Sequence, residues 1–248
     1  VTINGIPFND SESQGTYWVN LPDFAGSVDQ IQLHKGVGPS VVGAGAFGAT
    51  LNLNTNAIST AKGIGYSGSY GSFNTIKNSI SGQTGLLKNG FSAEGRLSLI
   101  TSDGYIDRAS SDLKSAFVGL NYLKNKQSFR FNLFHGHEIT YQAWNGVPVQ
   151  YINDDETRTY NSAGLDKPGE PYDNEVDNYR QTHLQGFYTA RLNQKLDFNL
   201  ALHYTKGFGY YENYKGGETL SDFGIAPIIL NEDTIIAADL VRRKYLDN

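Results

Sequence analysis

LDFNLALHYT, Leu196 to Thr205, alternates without interruption. Leu196, Phe198, Leu200, Leu202 and Tyr204 fall on one face of an extended chain, and Asp197, Asn199, Ala201, His203 and Thr205 on the other, because successive side chains of a strand point to opposite sides. A helix cannot sort residues this way, since its faces recur every 3.6 residues. The segment is a strand that is greasy on one side and wet on the other.

Neighbouring segments behave alike. From Gln181 to Leu192, Leu184, Tyr188, Ala190 and Leu192 oppose Gln181, His183, Gln185 and Arg191; from Phe91 to Leu99, Phe91, Ala93, Leu97 and Leu99 oppose Ser92, Glu94, Arg96 and Ser98. About seven such runs occur, near residues 63–70, 75–86, 91–102, 113–123, 128–138, 180–192 and 196–208. Leu87–Gly90, Lys124–Lys126 and Asn193–Lys195 read as tight turns, whereas Asp103–Asp112, Ile139–Tyr179 and the stretch from Gly209 onward read as long excursions. Apart from a short first tip near Gly71–Asn74, short and long connections alternate. An antiparallel meander with short turns at one end and long loops at the other is the pattern of a transmembrane β-barrel, and runs of about ten residues suit a tilted bilayer crossing. A Lys or Arg turned to mid-bilayer lipid costs about 2–4 kcal/mol. The apolar faces of 180–192 and 196–208 carry no charge, while Arg191, Asp197 and several amides share the polar face, which suits a wet lumen. Tyr66, Tyr70, Tyr122, Tyr188 and Tyr204 are candidates for interfacial girdles, or for ordinary cross-strand packing.

A mean hydropathy of −0.41 looks soluble, but so does a barrel that turns only alternate residues to lipid. No run is long and apolar enough for a membrane-spanning helix. The absence of cysteine excludes a disulfide framework and thiolate metal sites. A net charge of −5 argues against nucleic acid, whose binders carry a basic patch. Methionine is absent too, a first one included, so a piece of a longer product is expected.

Upstream of about Asn56 the texture changes to that of a small α+β unit. VTINGIPF, Val1 to Phe8, sets an Asn4-Gly5 turn between short apolar runs, a hairpin signal. Asn9–Asn20 reads as a polar loop, Ser27–Gln30 as a helical turn and Ile31–His34 as a strand. Then comes KGVGPSVVGAGAFGATLNLNTN, Lys35 to Asn56, where Gly36, Gly38, Gly43, Gly45 and Gly48 crowd together. Gly43–Gly48 matches the dinucleotide fingerprint G-x-G-x-x-G, but that motif must open a helix and find an acid about 20 residues on. Ala49–Thr55 instead alternates as a strand, and no acid follows before Glu94. A flexible linker would leave Val41, Val42, Phe47, Leu51 and Leu53 exposed. The remaining reading is a backbone threaded through a space too tight for side chains.

Three ordered segments here resemble the plug of TonB-dependent outer-membrane receptors. Thr2–Asn9, TINGIPFN, is similar to that family's V-D-G-I-P-L-N. Val28–Gly36, VDQIQLHKG, is similar to V-E-R-I-E-V-L-K-G, and Pro39–Thr55 to P-A-S-A-L-Y-G-S-G-A-I-G-G-V-I-N-I-I-T. Gln32 stands where an acid is usual, and Val42 where a Tyr is. The rest matches by barrel pattern alone, except Arg242–Asn248, which is similar to the lead-in to a later strand in iron-citrate-type, Bacteroidetes-like receptors. The resemblance implies a mainly β protein in two parts. Residues 1–56 would be the C-terminal half of a plug domain, a small α+β segment. Residues 57–248 would be the N-terminal part of a plugged antiparallel transmembrane β-barrel, about seven of about 22 strands.

The resemblance further implies active import of a scarce small-molecule ligand across the outer membrane of a Gram-negative bacterium. The ligand would be an iron chelate, a ferric siderophore or ferric citrate. The partners would be TonB, reached through an N-terminal segment outside this chain, and outer-membrane lipid. No enzyme chemistry and no resident cofactor or metal are implied. Glycan importers usually show Y-G-S-R-A-A-N-G where Val42–Gly48 stands and match less well; cobalamin and haem stay open. From another class, a soluble all-β adhesin or carbohydrate-binding module stays open too.

By the same resemblance the loop Asn9–Trp18 lies near the plug apex where ligand sits, making Asn9, Asp10, Gln14, Tyr17 and Trp18 candidate contacts. Tyr141, Trp144 and Tyr151, in the longest loop, could close over it. Each could equally pack on the barrel wall. His135 and His137 share a face but lack a third metal ligand at sensible spacing; His183 and His203 read as polar lining. Asp154, Asp155 and Glu156, with Asp173, Glu175 and Asp177 beyond, could hold calcium, though a solvated loop is the plainer reading. No nucleophile–base pair assembles from the spacings, and G-x-S-x-G is missing.

Overall fold

The computed structural model describes residues 1–10, 13–36, 48–55, 58, 60–231 and 233–248. A small sheet gathers β1 (Thr2–Ile3), β2 (Ile6–Pro7), β3 (Gln30–Lys35) and β4 (Ala49–Asn54) in the order β2-β1-β4-β3. A large antiparallel sheet follows chain order through β5 (Gly63–Gly71), β6 (Thr75–Gln83), β7 (Phe91–Ser102), β8 (Ser111–Lys124), β9 (Gln127–Tyr141), β10 (Val176–Arg191) and β11 (Asp197–Thr219). A hairpin of β12 (Ile228–Leu230) and β13 (Asp233–Ile235) then leads to β14 (Ala237–Asp247), which pairs with β11. The fold is mainly β, as expected. Among the described residues the helical part of the first unit consists of two 3-10 turns, Trp18–Asn20 and Phe24–Ser27.

Local chemistry accounts for the first hairpin. Asn4 (φ 57°) and Gly5 (φ 81°) both take the left-handed conformation, the two-residue turn whose twist matches its strands. Being a turn residue with a long amide, Asn4 also reaches across to the large sheet. Its Nδ2 donates to Gln185 Oε1 at 2.9 Å, and its Oδ1 accepts the Thr55 amide at 2.9 Å.

Register sets the two faces of the large sheet. Phe117 sits opposite Phe134, Phe134 opposite His183 and His183 opposite Thr205, so these share the face toward the small sheet. Leu97, Leu99, Val118, Phe129, Phe198, Leu200, Leu202 and Tyr204 take the opposite face and are exposed. That is the outward apolar band the alternation called for. All five candidate girdle tyrosines also point outward by register. Tyr66 donates to Asn78 at 2.6 Å across the sheet, a cross-strand role.

The inner face is drier than its sequence suggests. Phe117 and Phe134 stack at 5.3 Å between centroids, and Phe24 meets Phe134 edge-on at 5.1 Å. Ile3, Leu21 and Leu53 complete this core, so the small unit is seated on β8 and β9 by burial of apolar surface. Its closest approach is at Gly136, where a Cβ would strike the Asn20 carbonyl and Pro22.

One expectation needs correction. The chain after Gly209 is not one long loop: β11 continues to Thr219, and β14 follows the hairpin. Gly207 and Gly209 interrupt the visible alternation because Tyr179 occupies the space their Cβ atoms would need. The glycine segment is described only in part. Gly38, Gly43 and Gly45 lie outside the described residues. At Gly36 and Gly48 no described atom lies within 4 Å of where a Cβ would stand. Gly36 is required by its φ of +86°.

Candidate functional site

A cavity of about 530 Å³ opens between the small unit and the long-loop end of the wall. The small unit contributes Phe8, Asp10, Ser13, Tyr17 and Asn20; β9 and β10 contribute Glu138, Asp177, Tyr179 and Gln181; Trp144 and Tyr211 close one side. Its size falls in the range of small-molecule sites, which combine apolar surface with a few placed polar groups.

The loop at its floor is shaped by its own side chains. Asp10 Oδ1 accepts the Ser13 amide at 2.7 Å and the Ser13 hydroxyl at 2.9 Å, an Asx-type turn. Asn9 Nδ2 donates to the Gln14 carbonyl at 2.9 Å, and the Gln14 amide donates to the Asp10 carbonyl at 3.0 Å. This compact loop lifts Tyr17 into the cavity, and the turn Trp18–Asn20 carries Asn20 onto Gly136.

The wall side is braced by the connection 142–175. Asn161 Nδ2 donates to the carbonyls of Asp107 and Gln142, both at 2.9 Å, and Arg108 donates to the Ala163 carbonyl at 3.0 Å. Tyr172 donates to Glu212, which also pairs with Arg243. Burial, and then this hydrogen bond to a carboxylate, push the Tyr172 hydroxyl up to about 12. Trp144 meets Tyr211 edge-on at 5.7 Å.

Of the candidates read from sequence, Asp10, Tyr17 and Trp144 line the cavity. Asn9 and Gln14 build its floor, and Trp18 packs on Phe8 at 6.0 Å. Tyr141 is not a lining residue. It lies on the outward face, buried with Ala163 and Val176, and its hydroxyl donates to the Tyr172 carbonyl at 2.6 Å. Tyr151 is taken up by Tyr160, 5.1 Å away within the loop. Glu138, Tyr179, Gln181 and Tyr211 were not among the candidates, and Asp177 was read only as a possible calcium ligand, although inward parity near the long-loop end marks all of them.

His183 does line the interior, 5.4 Å from Phe8, while His135 and His137 face outward. Asp154 to Glu156 are exposed, Glu175 Oε1 accepts from Asn213, and Asp177 belongs to β10, so the acidic residues are dispersed. Among the described residues no three His, Cys, Asp or Glu side chains gather to hold a metal ion.

A second polar seam fastens the small unit away from the cavity. Asp23, left-handed at φ 52°, receives Lys77, Arg96 and Ser98 from β6 and β7 on its carboxylate. Arg96 also donates to the Asp23 carbonyl at 2.8 Å. Burial alone would raise the Asp23 carboxyl, but the hydrogen bonds from Lys77, Ser98 and Arg96 outweigh it and hold the group below its ordinary value.

No protein-family model and no characterised protein matches the chain by sequence. Solved structures match it by shape. The closed form of the ferric-catecholate import receptor Fiu from E. coli K12 aligns with 99% of this chain and 34% of its own, with a TM-score of 0.64 and 13% identity. The siderophore receptor PiuA from Acinetobacter baumannii aligns with 85% of this chain and 29% of its own (TM-score 0.60, 16% identity). The ferric citrate transporter FecA, unliganded, aligns with 86% and 33% (TM-score 0.56, 18% identity). The chain thus spans about a third of the length of these receptors. Its fold is that of a part of these import receptors, a small unit seated on an antiparallel barrel wall, in keeping with the sequence resemblance.

Proposed function

We propose that the chain belongs to a TonB-dependent importer of the outer membrane of a Gram-negative bacterium, with an iron chelate, a ferric siderophore or ferric citrate, as its cargo. In this reading residues 1–56 are the C-terminal half of the plug and residues 57–248 the first part of the barrel. Asp10, Tyr17 and Trp144 contact cargo, Asn9, Gln14 and Trp18 shape the floor beneath it, and no step of catalysis is assigned.

The observation that carries the reading is the cavity itself. It lies over the seated small unit, at the end of the wall where the long connections gather, and its lining is drawn from both parts. A ligand bound there touches plug and wall together, so it can bias how the plug sits before any pull from TonB arrives. The test is uptake of radiolabelled ferric chelates by cells carrying the full-length receptor. Uptake should vanish when either the receptor or TonB is deleted. Uptake that survives either deletion, or a receptor that instead supports uptake of a glycan, cobalamin or haem, overturns the proposal.

A further inference from the structure

Two acids in the cavity wall each keep one oxygen without a hydrogen-bond partner among the described residues. Glu138 is 1% exposed, and its Oε1 has no hydrogen-bond partner among the described residues; nor has Oδ1 of Asp177. Glu138 lies opposite Tyr179, and Asp177 opposite Thr140. They are therefore diagonal neighbours on one face, with Cα atoms about 7–8 Å apart. The Thr140 hydroxyl reaches the other oxygen of Glu138 at 3.4 Å. No ion pair among the described residues involves either acid.

A buried carboxylate without a cation is costly, and two adjacent ones more so. Their surroundings are aromatic: Tyr17, Trp144, Tyr179 and Tyr211 line the same cavity, Asp10 adds a third acid, and no Lys or Arg is among the lining residues. Aromatic faces attract cations. One already rests on this set, Lys244 Nζ, 5.7 Å from the centroid of the Tyr211 ring.

We infer that Glu138 and Asp177 receive a positively charged amino group of the ligand, with the aromatic side chains flanking it, so that the cargo is a cationic, amine-bearing iron chelate. The inference rests on the importer reading above and narrows it. A chelate whose outer surface is polyanionic, such as a ferric catecholate or citrate complex, would bring negative charge against three carboxylates.

The experiment uses the detergent-solubilised full-length receptor, with binding followed by quenching of its aromatic fluorescence. Three probes are compared: the iron complex of a linear trihydroxamate with a free terminal amine, the same complex with that amine acetylated, and a ferric tris-catecholate. The amine form should bind at least tenfold tighter than the acetylated form, and the catecholate weakest. In Glu138→Gln and Asp177→Asn the advantage of the free amine should shrink toward parity, while affinity for the acetylated form holds. The ratio between two probes on the unmodified receptor is itself decisive, so a poorly folding variant does not spoil the test. Equal binding of the two hydroxamates, or tighter binding of the catecholate, overturns the charge assignment and leaves iron import standing. Failure of every chelate to bind overturns both.

Discussion

Asp23 and the pair Glu138–Asp177 are acids at the same seam between the small unit and the wall, yet they are held in opposite ways. Asp23 belongs to the small unit and meets two cations and a hydroxyl supplied by β6 and β7. Glu138 and Asp177 belong to β9 and β10, and no described residue of the small unit donates to Glu138 Oε1 or Asp177 Oδ1. One side of the wall grips the small unit, and the other holds Glu138 Oε1 and Asp177 Oδ1 without a described partner over a cavity. Holding and receiving are thus assigned to different strands of a single sheet.

The sharpest way to break this contrast is Asp23→Ala. It strands Arg96 and Lys77 against the plug, and losing one partner of a buried ion pair costs roughly 3–5 kcal/mol. Hydrogen exchange of plug amides in the full-length receptor should accelerate accordingly. Unchanged exchange would mean that Asp23 holds nothing. Phe134→Ala attacks the apolar half of the grip and should cost about 3–5 kcal/mol, read as a lower denaturant midpoint, since Phe134 carries both Phe117 and Phe24.

Next in size is a test of the wall's two faces. Leu200→Arg should cost about 2–4 kcal/mol in refolding titrations into lipid vesicles, whereas Asn199→Arg, turned inward, should cost about 1 kcal/mol or less. Equal penalties would abolish the distinction between lipid and lumen.

Acid offers a milder probe. Because the folded carboxyl of Asp23 titrates below its ordinary value of 3.8, its stabilisation is complete above that value and is lost as pH falls through the folded one. The stability gap between the native receptor and Asp23→Asn should stay flat from about pH 7 to pH 5 and close below about pH 4. Smallest of all, Glu138→Gln replaces a buried carboxyl whose Oε1 has no partner among the described residues, and it should leave stability unchanged or raise it by about 1 kcal/mol. A large loss in calorimetry would show that Glu138 is already satisfied.

The architecture was legible because a period of two survives in single strands, and because loop lengths record which end of a barrel they occupy. The cavity was less so. An inward acid near the top of a strand, such as Glu138, looks like any wet lumen residue until pairing with β10 sets it beside Asp177. Tyr141 shows a signal that was present and unused: counted along β9 from inward Phe134, its odd position turns it outward. Asp23 gives no warning at all, since nothing in Leu-Pro-Asp-Phe announces a left-handed residue or the cations that meet it. The end of β11 was hidden by glycines whose purpose depends on Tyr179, a residue on another strand.

Three groups on two adjacent strands converge on the one side chain of Asp23. Tension applied to the small unit at Asp23 would therefore load these bonds together and not one after another. Such an attachment gives way abruptly at a threshold force, so a single-molecule pulling trace through residues 1–36 should record a sharp rupture at this point, with little creep before it.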